Sequence, residues 1–422
     1  MRTPMRKRAM VGATAVLALT LAACGNGTDA DDTDTGNGAA ADGEEVELTV
    51  WHYFSEDFQV ELMDSYAEKF EAEHDNVTVS NVFQPYDQMN SMVVSAAGAG
   101  EGPDVVVFNG AEWSTLAMAG ALAPLDDYLA EFEDADQISD AVQHGMDGST
   151  YAVQGYVNLL GLWYNADLLE EIGVEPPTTM DELESAMAAA VDAGYRGITL
   201  SALPQSQGEW QAYPWLSSEG FTYENLDEEA LAAGFARVRG WIEEGYLSQE
   251  AVTWDQTVPF QQFAAGEVAF AENGNWQFGA AEADADFEYG VVPLPLSETG
   301  QVYLGGEGQA IGANSEHPDL AWEYLTSTYL DFDGQLEAQE SVGSIPSRAD
   351  ASQEEASNEL LEPFAQTLND MGTNYPASVI PPEAVADVQN GVGQAWSSAL
   401  AGQMTPEEAA AQVIGQLQNL LG

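Results

Sequence analysis

Basic residues are scarce: nine Lys and Arg stand against 71 Asp and Glu in 422 residues, a formal net charge of -62. Neutralising nucleic-acid phosphates or anionic lipid heads takes clustered cations, so this balance excludes both as electrostatic partners. Cysteine is scarcer still. The single Cys24 rules out an intramolecular disulfide framework and any Cys-rich zinc site. After it, no stretch reaches the roughly 18 consecutive apolar residues that a membrane span requires. Aromatic residues, by contrast, are plentiful. With 10 Trp, 16 Tyr and 15 Phe, and 45% hydrophobic residues overall, the chain reads as globular, not disordered. At about 150 residues per domain, its length predicts two or three domains, or two lobes.

The amino-terminal segment reads as an export signal and a tether. Arg2, Arg6, Lys7 and Arg8 precede a short apolar run from Ala9 to Thr20, which ends in Leu21-Ala22-Ala23-Cys24. This run is too short to span a membrane and has the layout of a secretory signal peptide. Its ending resembles the bacterial lipobox, which implies acylation of Cys24 and cleavage just before it. Residues 24–45 are rich in Gly, Asn, Thr, Asp and Ala, the composition of a flexible leash. Removing residues 1–23 takes away four basic residues and no acidic one, leaving five against 71 and a mature charge of -66. Such an excess repels itself, and we read it as a solvated coat suited to high salt, where the Debye length falls to about 3 Å near 1 M.

Beyond the leash, strand and helix patterns alternate. Val46 to Trp51 alternates like a strand, Gln59 to His74 has helical spacing, Asn76 to Phe83 is strand-like, Tyr86 to Ala99 is helical, and Asp104 to Phe108 is an apolar strand. That succession predicts parallel strands with crossover helices, an α/β fold. Further strands are expected at Gly197 to Leu200, Val268 to Ala271 and Tyr289 to Val292. Thr179 with Glu182, and Thr405-Pro406 with Glu408, are helix-start signals, and the last third reads as mostly helical.

Several chemistries find no residues to carry them. Lys69 has no glycine-rich stretch before it, so there is no P-loop, and neither HExxH nor GxSxG occurs. His52, His74, His144 and His317 are too scattered for a zinc site or a triad. No cofactor and no metal are expected. Paired carboxylates for glycoside hydrolysis stay open as an alternative, because 71 acids supply many accidental pairs.

The informative pattern is aromatic. Trp51, Tyr53, Trp113, Tyr156, Trp210, Trp215, Trp254 and Trp276 fall at expected strand ends or loops, accompanied by Asn109, Asn158, Gln211, Asn273 and Asn275. Ligands of α/β sheets bind beyond the carboxyl ends of strands, which favours Asn109. Sugars present apolar C–H faces to aromatic rings and hydroxyls to amides or carboxylates, so the mixture fits a neutral polyol. The core can claim many of these rings.

The same residues carry a family resemblance. Thr49-Val50-Trp51-His52, Gly102-Pro103-Asp104-Val105-Val106, Gly120-Ala121-Leu122-Ala123-Pro124-Leu125-Asp126, Leu162-Trp163-Tyr164-Asn165-Ala166-Asp167-Leu168, Phe263 to Phe270 with Gly274-Asn275-Trp276, and His317-Pro318 with Ala321-Trp322 follow one another in chain order. From residue 46 onward the chain resembles the maltose-binding-protein-like solute-binding proteins of bacterial sugar ABC importers. The resemblance implies a two-lobed periplasmic-binding-protein-like fold of type II, with the cleft between lobes joined by hinge strands. It also implies a non-enzymatic monomer, held outside the cytoplasm as a lipoprotein, that hands a carbohydrate to membrane permease subunits. The expected lobes are 46–155 with 300–350, and 156–299 with 351–422.

For the site, the resemblance points to Asn109, Glu112 and Trp113 after the Gly-Pro-Asp strand, Asn158 before the Trp-Tyr-Asn motif, Trp210 with Gln211, and Trp276. Trp51, Tyr53, Tyr156 and Trp254 are further candidates, and Gly305 and Gly306 would let a ligand approach the backbone. Asn158 stands where maltose binders carry an acid, and no basic residue follows the first strand, which counts against maltose itself. A secreted glycosidase and a binder of some other neutral solute are the alternatives.

Overall fold

The computed structural model describes residues 45–354 and 358–421. Cys24, the signal segment and nearly all of the leash lie outside the described residues.

The chain opens as expected, with β1 (Val46–His52), β2 (Val77–Phe83) and β3 (Val105–Asn109) parallel and joined by the helices Asp57–Glu73 and Met89–Ala99. A hairpin of β4 (Gln143–Met146) and β5 (Ser149–Val153) follows, and β6 (Tyr156–Val157) leads out of this first sheet. A second sheet then forms from β7 (Leu160–Asn165), β8 (Arg196–Thr199), β9 (Val268–Gly274) and β10 (Tyr289–Val292) in the order β10-β7-β9-β8. After β11 (Val302–Leu304) the chain returns as β12 (Glu307–Ile311), completing a six-stranded first sheet of order β2-β1-β3-β12-β5-β4. Short strands β13 (Ile345–Pro346) and β14 (Gly372–Asn374) pair with β6 and β11. The two sheets are the centres of two lobes.

Three stretches of chain meet where the lobes join. Asn158 and Gly305 exchange backbone hydrogen bonds at 3.0 and 2.9 Å, and beside them β6 pairs with β13. These crossings explain a departure from the expected all-parallel sheets. A strand arriving from the other lobe runs against its neighbours, so β12 is antiparallel to β3 and β7 is antiparallel to β9.

Side chains alternate across β3. Val105 and Val107 join the main hydrophobic core, whereas Val106 and Phe108 join a second cluster beneath the helices Met89–Ala99 and Trp113–Met118. The Thr179–Glu182 and Thr405–Glu408 helix starts both form reciprocal capping boxes. The helix expected from Tyr86 begins instead at Met89. Pro85 turns the chain there, its carbonyl accepting from Gln88 and Met89, and Tyr86 is left in the turn.

Among the described residues five cations face a far larger number of acids, and four of the five are held in ion pairs. Lys69 meets Glu337, Arg237 meets Glu184 and Glu219, Arg239 meets Glu243, Arg348 meets Asp134 and Asp350, and Arg196 bonds Gln262, so most of the described acids have no counterion among the described residues. The Tm is therefore expected to rise by several degrees between low and molar NaCl in thermal unfolding. A flat or falling Tm would contradict a coat that depends on screening.

Candidate functional site

Loops at the carboxyl ends of the first three strands supply one wall of a cavity of about 520 Å³. Tyr53 follows β1, Tyr86 follows β2, and Asn109 ends β3. This is the position at which open α/β sheets bind ligands. The second lobe supplies the facing wall: Ser206, Gln207 and Trp210 from the helix Ser206–Ser218, Gln256 and Phe260 before β9, and Trp276 and Gln277 after it. Asn158, Gly305, Gly306 and Glu307 form the floor, and Tyr375 joins them. The volume lies within the roughly 300–1,000 Å³ of small-molecule sites.

A hydrogen-bonded chain of side chains runs along the floor into the hinge. The Tyr53 hydroxyl donates to Glu307 Oε1 at 2.8 Å, and Asn158 Nδ2 donates to Glu307 Oε2 at 3.3 Å. Asn275 Nδ2 donates to Asn158 Oδ1 at 2.9 Å and to the Gly343 carbonyl at 2.8 Å, while its Oδ1 accepts from Leu159 N at 2.7 Å. Burial pushes the Glu307 carboxyl up, and the Tyr53 and Tyr156 hydroxyls counter part of that rise. Burial likewise raises Tyr53 well above the ordinary tyrosine range, and desolvation of its hydroxyl within the cleft raises Tyr86, whose ring stays partly exposed, so both phenols stay protonated at any physiological pH. Asn109 fixes Tyr86 by donating to its hydroxyl at 3.0 Å, and its Oδ1 accepts from Ala111 N.

Aromatic rings cover the second wall. Trp210 lies 4.7 Å from Tyr375 and 6.4 Å from Trp276 between ring centroids. Its ring packs so closely on Gly305 that a Cβ there would stand 2.2 Å from Cη2, so only glycine fits. The indole Nε1 of Trp210 is buried without a hydrogen-bond partner.

Of the thirteen ligand-binding residues expected from the sequence, the structure brings seven to the cavity: Tyr53, Asn109, Asn158, Trp210, Trp276, Gly305 and Gly306. The other six lie off its wall, each for a visible reason. Trp51 points to the opposite sheet face from Val50 and packs on the second core cluster, where Trp113 stacks on His144 with centroids 5.9 Å apart. Glu112 follows Asn109 in a 3-10 turn off the cavity, and burial raises its carboxyl. Tyr156 is buried in the crossing strand against Tyr329. Gln211 is fully buried and its Oε1 accepts from Ser201 N at 3.1 Å, while the Trp254 carbonyl accepts from Ser201 Oγ and its ring joins the core. Sequence reasoning missed Glu307, Tyr86 and Tyr375. A lone acid opening the short strand Glu307–Ile311, two residues beyond Gly305, is the signal that could have flagged Glu307. Nothing local singles out Tyr375.

The wall has seven aromatic residues, seven amides and no Lys, Arg or His among its 27 members. Its five carboxylates are about the share that a chain with 71 acids in 422 residues would place there anyway, so they make no case for a cation. Among the described residues no cluster of His, Cys, Asp and Glu could hold a metal ion, and no helix is long and apolar enough to cross a membrane.

Residues 65–363 match the family described as bacterial extracellular solute-binding protein. A maltotriose-binding protein of Pyrococcus abyssi is 25% identical over 66% of this chain, a match that spans 61% of that protein's own length. The diacetylchitobiose-binding protein of Streptomyces coelicolor is 25% identical over 98% of this chain and 99% of its own. In three dimensions, the GacH receptor of Streptomyces glaucescens, solved unliganded and with acarbose, superposes with a TM-score of 0.79. It is 24% identical, covering 89% of this chain and 98% of the receptor.

Proposed function

The chain belongs to the bacterial extracellular solute-binding proteins, and from that premise we propose that it captures a neutral sugar or oligosaccharide and delivers it to an ABC-type permease. The observation that carries this reading is the composition of the cleft wall, rings and amides with no basic side chain. Sugar rings stack on Trp210 and Trp276, and hydroxyls meet Asn109, Asn158 and Glu307. The lobes are 46–155 with 300–350, and 156–299 with 351–422. Closure about the Asn158–Gly305 crossing holds the ligand by favouring one of two lobe arrangements, and no bond of the ligand is broken. Sugar-binding relatives support capture over catalysis.

A thermal-shift screen of the mature protein tests the ligand class, using maltotriose, melibiose, raffinose and diacetylchitobiose beside glucuronate and glycine betaine. At least one neutral saccharide should stabilise the fold, by about 2.7 kcal/mol at a hundred times its Kd. Stabilisation by glucuronate or betaine alone would overturn the reading.

In the same proposal the chain is a lipoprotein monomer on the outer side of the cell membrane, tethered through Cys24. Cys24→Ser should leave the chain uncleaved or release it, measured as the membrane-bound fraction. Normal processing and equal retention of variant and wild type would remove the tether.

A further inference from the structure

We propose that Glu209, which does not line the cleft, is a positioning residue that holds the aromatic wall in its ligand-binding arrangement from behind. The inference rests on the reading of this cleft as the ligand site. Glu209 precedes Trp210 in the helix Ser206–Ser218, and only 1% of its surface is exposed. Its Oε1 accepts from the Tyr223 and Tyr303 hydroxyls, each at 2.6 Å. Tyr303 lies in β11, the strand that leads into Gly305.

The Tyr303 ring is the common backing of the wall. It stacks on Tyr213 at 4.0 Å and 12°, and lies 4.5 Å from Tyr375 and 5.7 Å from Trp210. Trp210 and Tyr375 face the cavity; Tyr303 does not. The hydroxyl that fixes this backing ring ends on one carboxylate oxygen, shared with Tyr223. Two phenol donors converging on a single buried oxygen suit an anion, because charge-assisted hydrogen bonds are shorter and about twice as strong as neutral ones. Glu209 Oε2 has no partner in hydrogen-bonding geometry, although Tyr375 stands close enough to steady the charge.

Burial raises the Glu209 carboxyl to about 7, against the pull of Tyr223, Tyr303 and Tyr375. These phenols, with Tyr213 behind them, are the titratable groups facing it; Glu224 acts on Tyr213 and Glu112 on Tyr375. Glu209 therefore changes charge near neutrality. Ionised, it grips both hydroxyls; protonated, it holds them less firmly and the backing of Trp210 loosens. Saccharide affinity should accordingly rise with pH across this range.

The test labels the mature chain with 5-fluorotryptophan, assigns the Trp210 resonance by Trp210→Phe, and follows it from about pH 5.5 to about 8.5, across the Glu209 titration. The wild-type resonance should move with a midpoint within about one unit of 7. In Glu209→Gln that titration should vanish while the Tm at low pH stays near wild type. Should the Gln variant fail to fold, Glu209→Asp keeps the charge on a shorter stem, and its Trp210 resonance should still titrate from a displaced position. A second arm measures the Kd for maltotriose at both ends of the range; several-fold tighter wild-type binding at high pH should collapse to no difference in Glu209→Gln. The fluorine arm needs no ligand, so failure of maltotriose to bind would count against maltotriose as the ligand and leave the fluorine result to decide the positioning role. A Trp210 resonance that titrates identically in wild type and Glu209→Gln, or in neither, would overturn the positioning role.

Discussion

Trp276→Ala is expected to weaken saccharide binding by about tenfold to a hundredfold while lowering the Tm only slightly. Trp276 is half-buried and lines the cavity, and its ring covers Gly274 so closely that a Cβ there would stand 1.9 Å from Cζ3. The indole is thus packed on the chain at Gly274 and still borders the cavity. Truncating a ring that gains its remaining contacts only in the complex costs roughly 1 to 3 kcal/mol of binding, which is the stated fold-change. A core tryptophan would instead cost about 3 to 5 kcal/mol of folding stability. Calorimetric titration and apo-protein melting on the same variant separate these outcomes. A variant that melts far below wild type and binds normally once folded would return Trp276 to the core.

Arg348→Ala is expected to cost about 3 kcal/mol of folding stability, the largest single loss among the five cations of the described residues. The Arg348 side chain is only 4% exposed. It binds Asp350 through Nε at 2.9 Å and Nη2 at 2.8 Å, Asp134 at 3.1 Å, and the Leu330 carbonyl through Nη1 at 2.8 Å. Its hydrogen bonds hold the Asp350 carboxyl below the usual range. Removing the guanidinium strands a buried carbonyl and leaves two carboxylates facing each other. Both acids reach water, which keeps the loss at the lower end of the range for a broken buried pair. Arg348→Lys should recover little, since one ammonium cannot reproduce the fork. Urea denaturation measures both, and an Arg348→Ala midpoint within error of wild type would contradict the assignment.

How far the site was legible in the sequence depends on where each residue gets its surroundings. Tyr53 and Asn109 were readable because strand ends follow from local alternation, and the cleft follows from strand ends. The family resemblance reached Asn158, Trp210 and Trp276 through neighbouring motifs. What failed was facing. Trp51 and Tyr53 are two residues apart, yet Trp51 still obeys the pleat of β1 and turns to the second core cluster, while Tyr53 has left the strand. Trp113 fails for a related reason: the 3-10 turn after Asn109 rotates the chain before the next helix begins, and sequence spacing does not report that rotation. Glu307 and Tyr375 are contributed by chain that returns to the cleft long after β1, and only the tertiary path brings them to Tyr53 and Trp210. The parallel order of the first three strands was equally local, whereas the antiparallel β12 and β7 are products of the lobe crossings.

Calorimetric titration of the mature protein with the saccharide that most raises its Tm, followed by mass analysis of the saccharide recovered, tests the central claim most directly. The account predicts saturable one-to-one binding, sharply weakened in the Trp276→Ala variant, with the saccharide recovered intact. Heat only from anionic or cationic solutes, or recovery of shortened saccharide, would contradict a protein that captures neutral sugars without altering them.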